Sequence, residues 1–81
     1  DATTRLLDGL AYLARKSSGG QDLQAELPPL AQREIALLAG LARETASPTL
    51  SKLRTHGTIT EQNGRLRLAD LNPLLKRGLI S

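Results

Sequence analysis

Leu6, Leu7, Leu10, Leu13 and Ala14 recur at helical spacing, which predicts a helix over residues 2–16. Asp1 is a good N-cap for it, and Ser17-Ser18-Gly19-Gly20 is a stop. Residues 22–27, "DLQAEL", alternate weakly and read as a short strand before Pro28-Pro29 breaks the chain. In "QREIALLA", residues 32–39, Ile35, Leu38 and Ala39 define the apolar face of a second helix. Gly40 ends it, as glycine does in a left-handed C-terminal position. Leu41-Ala42 leaves room only for a tight turn. A third helix then runs from Arg43 to about Thr55 or His56, with Ala46, Leu50 and Leu53 facing inward and Gly57 as its stop.

The period changes in "TITEQNGRLRLAD". Ile59 and Glu61 alternate on one side of Asn63-Gly64, and Leu66 and Leu68 on the other; that dipeptide is the strongest short hairpin signal. Asn72-Pro73 reads as an N-cap followed by proline at the first helical position, and Gly78 stops the short turn of Leu74, Leu75 and Lys76. Two helices joined by a glycine-containing turn, then a hairpin, make a winged helix-turn-helix. The expected fold class is mainly α with a small β-sheet (α+β): a three-helix core plus a β-hairpin wing. One domain is expected over residues 1–81, with the helix-turn-helix at about 32–56 and the wing at about 58–69.

Composition narrows the functions open to such a fold. Tyr12 is the only aromatic residue, so the core must be aliphatic and recognition of single strands by base stacking has no platform. With no cysteine there is no disulfide framework and no Cys-rich zinc site. His56 is the only histidine and has no second ligand at suitable spacing; no Ser/His/Asp set or carboxylate pair suggests catalysis, so an enzyme is not expected. No apolar run approaches the roughly 18 residues of a membrane span. The net charge of +3 is unevenly spread: residues 1–42 carry four basic and five acidic side chains, and residues 43–81 seven and three. The positive half begins with the third helix, which suits a polyanion there, although a basic surface also simply keeps a protein soluble.

Gln32, Glu34-Ile35-Ala36, Gly40, Arg43-Glu44-Thr45, Ser47, Leu50 and Leu53 stand in the pattern Q-x-E-[IL]-A-x-x-x-G-x-x-R-E-T-x-S-x-x-L-x-x-L. This closely resembles the helix-turn-helix of the cyclic-AMP receptor protein / fumarate–nitrate regulator (Crp/Fnr) family of bacterial transcription factors. "DATTRLLDGLAYLARK" is similar to the first helix of that family's C-terminal domain, "LPPLAQREIA" to the segment leading into its helix-turn-helix, and Asn63-Gly64 falls at its wing. The resemblance covers residues 1–70. It implies sequence-specific binding of a palindromic double-stranded operator by a homodimer in the bacterial cytoplasm, on the nucleoid, with RNA polymerase as a further partner. The chain opens on Asp1 without an initiator methionine. We therefore expect a fragment without the family's N-terminal sensor domain and dimerisation helix. No cofactor is expected in this domain; an effector such as a cyclic nucleotide would bind the sensor domain.

Arg43 and Glu44 fall in the first turn of the third helix, the end that enters the major groove. Arginine there can hold guanine O6 and N7 with two bonds, and glutamate can accept from cytosine N4; in the family the matching residues contact bases. Alternatively the two are a solvated pair, with Glu44 complementing the helix dipole. Gln32, Thr45, Ser47, Lys52 and the wing residues Gly64 and Arg65 are the candidates for DNA backbone contact, and Thr3 is a weaker one. Ala36, Gly40 and Ala46 have structural reasons to be small.

The chain departs from the family at Pro48. Many members carry an arginine there that adds a base contact; proline donates nothing, so the matching base should be read weakly. Pro48 either sits inside the third helix, where proline costs roughly 3 kcal/mol, or starts a helix capped by Ser47, leaving Arg43–Ala46 as a strained turn. Ala42 and Ala31 stand where Ser or Thr would cap the third and second helices. A relaxed or altered sequence preference is expected. The competing reading is a winged helix turned to protein–protein contact, with weakened or non-specific DNA binding.

Overall fold

The computed structural model describes residues 1–20, 22–24, 26–29 and 32–80, the side chain of Gln32 excepted. The expected cap at Ala31 lies outside the described residues. Helix α1 (Ala2–Ser17) starts where Asp1 Oδ1 accepts a bond from the Thr4 amide at 2.8 Å. That bond satisfies one of the amides that every helix start leaves open. Leu6, Leu7, Leu10, Ala11 and Ala14 are fully buried, and Leu13, expected beside them, is only half-buried. Arg15 and Lys16 occupy the last turn, where the helix dipole favours cations.

The short strand expected over residues 22–27 does not form among the described residues; a turn stands at Leu23-Gln24. The cause is side-chain competition for the backbone. The Ser18 hydroxyl donates to the Ala14 carbonyl at 2.9 Å and accepts from the Asp22 amide at 3.0 Å. Asp22 Oδ1 in turn accepts from the Gln24 amide at 2.9 Å, an Asx turn. The segment meets the hairpin through a backbone bond from the Leu27 amide to the Leu66 carbonyl at 2.8 Å.

Helix α2 (Gln32–Ala39) buries Ile35 and Ala36. Leu38, expected on that face, is exposed, and Ala39 is half-buried. The inward stripe is thus 35, 36 and 39, and Leu38 lies at its edge, where it lines a shallow hollow with Gly9 and Tyr12 of α1. Gly40 adopts φ 70°, and its amide bonds the Leu37 carbonyl while the Leu41 amide bonds that of Ala36 at 2.8 Å. This Schellman closure satisfies the last carbonyls and turns the chain directly into α3.

Helix α3 (Arg43–Thr55) buries Ala46, Leu50 and Leu53. It ends in the same closure, with Gly57 at φ 76° and the Thr58 amide bonded to the Leu53 carbonyl at 2.9 Å. Strands β1 (Ile59–Gln62) and β2 (Arg65–Leu68) pair antiparallel, Gln62 opposite Arg65 and Ile59 opposite Leu68. Asn63 and Gly64 both have positive φ, 55° and 77°, the backbone of a type I′ turn. Ile59 and Leu68 close the core at the root of the wing, with Leu6, Leu7, Leu10, Leu50 and Leu74. Thr58, nearly fully buried, ties both strand roots together: its carbonyl accepts from the Ala69 amide at 2.8 Å and from the Asp70 amide at 3.2 Å.

The last helix, α4 (Asn72–Lys76), differs from expectation at its start. Asn72 is its first residue and Leu71 the cap, without a side-chain bond. Asp70 Oδ1 accepts from the Asn72 amide at 3.0 Å, which draws Asn72 into the turn and leaves its own side chain outside the capping role. The architecture is the winged helix-turn-helix, mostly helical with one two-stranded antiparallel sheet.

Candidate nucleic-acid interface

Helix α3 is continuous from Arg43 through Pro48 to Thr55. This overturns the alternative in which Ser47 caps a helix beginning at Pro48. The sequence explains the outcome: Ala46, Leu50 and Leu53 form one buried stripe across the proline, and burying all three requires the helix to run through it. Ala42, at φ −69° and ψ 149°, has the extended backbone of an N-cap but makes no side-chain capping bond. Its carbonyl accepts from the Thr45 and Ala46 amides, each at 3.0 Å.

At 100° per residue, three surfaces of α3 follow from that stripe. Opposite it stand Glu44, Pro48, Ser51 and Thr55, all exposed. One flank carries Arg43, Ser47 and Arg54, and the other Thr45, Thr49, Lys52 and His56. Arg43 and Glu44 are exposed in the first turn, and among the described residues neither makes an ion pair. Ser47 is half-buried. Thr45 is exposed, and its carbonyl accepts from the Thr49 hydroxyl at 2.8 Å. Lys52 is exposed on the same flank. Gln32 begins α2, with its side chain outside the described residues.

Gly64 and Arg65 are exposed at the tip of the wing. Arg65 lies 3.8 Å from Glu26, a loose contact for a half-exposed pair that leaves most of its charge facing solvent. Glu26 is nearer Arg67, at 3.4 Å, and so joins the loop before α2 to β2. On the other face of the wing, Arg54 Nη2 and Glu61 Oε1 are 3.3 Å apart, joining α3 to β1. The pairing of Glu26 with Arg67 and of Arg54 with Glu61 was not legible in the sequence, because the partners are distant along the chain or on different elements. Thr3, at the start of α1, shares a hollow with Lys52, so it neighbours α3 rather than standing apart from it. Among the described residues no group of three or more His, Cys, Asp or Glu is arranged to hold a metal, and no helix is long and apolar enough to cross a membrane.

A glycine-turned helix pair, an exposed second helix and a hairpin wing define a helix-turn-helix protein of the winged class. The sequence model of the Crp-like helix-turn-helix domain matches residues 4–77, from the first turn of α1 to the end of α4, and the chain belongs to that family. It is therefore a DNA-binding domain of a transcription regulator, as the resemblance implied, and the family is a regulatory rather than an enzyme family. No curated protein matches the chain.

Proposed function

We propose that this domain binds double-stranded DNA sequence-specifically, with α3 in the major groove and Arg43 and Glu44 reading base edges. Thr45, Ser47 and Lys52 on α3, Gln32 on α2, and Gly64 and Arg65 on the wing contact the sugar–phosphate backbone. The observation that carries this reading is the division of α3. Its packing rests on Ala46, Leu50 and Leu53, while Arg43 and Glu44 stand exposed at the leading end and outside any ion pair among the described residues. A carboxylate facing DNA is repelled by phosphates, so Glu44 beside Arg43 favours base reading over bulk charge attraction. Pro48, exposed on the outermost surface, offers no donor, and the base beneath it is read weakly.

Two copies in a homodimer would set their α3 helices in successive major grooves about 34 Å apart, on a palindromic site in the bacterial cytoplasm. An effector such as a cyclic nucleotide would act through a sensor domain, and RNA polymerase is a further partner in this reading. Sites selected from random duplexes, then titrated beside scrambled versions at physiological salt, test it. Arg43→Ala should cost about 1–3 kcal/mol on the selected site and relax preference at one position. Equal affinity for selected and scrambled duplexes would refute specific reading. If Arg43→Ala leaves the protein's function intact, the fold serves protein–protein contact instead.

A further inference from the structure

Beside the C-terminal half of α3 lies a hollow of about 230 Å³ whose rim brings together residues from three helices: Thr3 of α1, Lys52 and His56 of α3, and Pro73 and Arg77 at α4. Leu53 and Thr58, both buried, also line it, and none of its lining residues is acidic. Arg77 is held in a fixed pose. Its Nε–H donates to the Thr4 hydroxyl at 3.1 Å, and Nη1 donates to the Pro73 carbonyl at 3.0 Å. A guanidinium has five N–H donors; these bonds use two, and the others find no partner among the described residues. The Lys52 ammonium and an imidazole N–H of His56 add donors on the same side. The Thr49 hydroxyl, also at this hollow, is already committed to the Thr45 carbonyl.

An oriented arginine, a lysine and a histidine around an acid-free recess match a phosphate in charge and in donor geometry. Its place on α3 identifies which phosphate. The flank bearing Arg54 meets β1 through Glu61, so the wing lies on that side. The hollow occupies the opposite flank, with Thr49, Lys52 and His56. A helix in a major groove has one phosphate chain on each side. We infer that Arg77, Lys52 and His56 form a cradle for a backbone phosphate of the duplex on the side of α3 away from the wing, making α4 a DNA-contacting element. This rests on the reading that α3 enters the groove.

The test uses the intact chain and a site-selected duplex in which each phosphate in turn is replaced by a neutral methylphosphonate. The unmodified protein should be sensitive at two sets of positions, one on each side of the groove. Arg77→Gln should abolish sensitivity at the cradle's phosphate on one side, and Arg65→Gln should act on the other side. The slope of log K against log salt should fall by about 0.9 for each phosphate lost. Between 50 and 200 mM salt the unmodified protein should then lose about 3.5-fold more affinity than Arg77→Gln. Lys52→Gln, at an exposed site, should silence the same phosphate and guards against loosening of α4 in Arg77→Gln. If both variants keep the original pattern of sensitive phosphates and the original salt slope, Arg77 merely ties α4 to α1 and the cradle is refuted. If Arg43→Ala also binds like the unmodified protein, the groove reading fails with it; if Arg43→Ala weakens binding, only the cradle fails.

Discussion

Replacing Pro48 by alanine should stabilise the protein. Pro48 is the sixth residue of a continuous helix and has no amide hydrogen for the Glu44 carbonyl, which its ring also crowds. An interior proline is about 3 kcal/mol less favourable than alanine. That is an upper bound, because position 48 lies in the second turn, where the preceding residues can fray to relieve the clash. The lower bound is the net value of one restored hydrogen bond, about 0.5–1.5 kcal/mol. Pro48 is exposed, so truncating it sacrifices no packing. A gain of about 2 kcal/mol raises Tm by roughly 8–16 °C in a domain of this size. Urea denaturation followed by far-ultraviolet circular dichroism measures it, and the m value should not change. A midpoint that stays fixed or falls would refute the argument, because it would mean the native helix carries no strain at Pro48.

Ala42→Ser should add about 0.5–1 kcal/mol, since the backbone at position 42 already has N-cap geometry and lacks only the side-chain acceptor; the same denaturation assay reads it. Leu50→Ala, at a fully buried position, should cost about 3–5 kcal/mol, much of the stability available to so small a domain, and leave it partly unfolded at 37 °C. Glu61→Gln should change stability by less than about 0.5 kcal/mol, because the pair with Arg54 is over a third exposed on both sides, and the denaturation midpoint should barely move.

The helices and hairpin were legible because each is signalled locally. The Leu6–Leu7–Leu10 stripe, Gly40 and Gly57 at helix ends, and Asn63-Gly64 are short-range features whose meaning hardly depends on the rest of the fold. What failed depended on competition. "DLQAEL" alternates like a strand, but Ser18 and Asp22 capture its amides first. Leu38 has helical spacing but too few neighbours above it to be covered. Asn72 looks like a cap until Asp70 takes its amide. For Pro48 the local signals supported two helix starts, and only the buried stripe on both sides of it decides between them. In the candidate interface, Arg43 and Glu44 were marked by their motif. His56 and Arg77 were not, since the hollow they share joins α3 to a helix some twenty residues further along.

Thr58 has a consequence for how such a domain would select DNA. Itself the residue before β1, it donates its amide to the end of α3 and accepts at its carbonyl from the two residues that follow β2, and its burial shields those bonds from water. The hairpin therefore cannot swing open without unpicking the end of the helix. On the proposed reading, helix and wing act as a caliper of fixed span laid across groove and backbone. A duplex that does not fit must change its own groove width. Sequences that do so cheaply gain affinity at base pairs no side chain touches, so part of the preference forfeited at Pro48 would be recovered through the stiffness of the DNA.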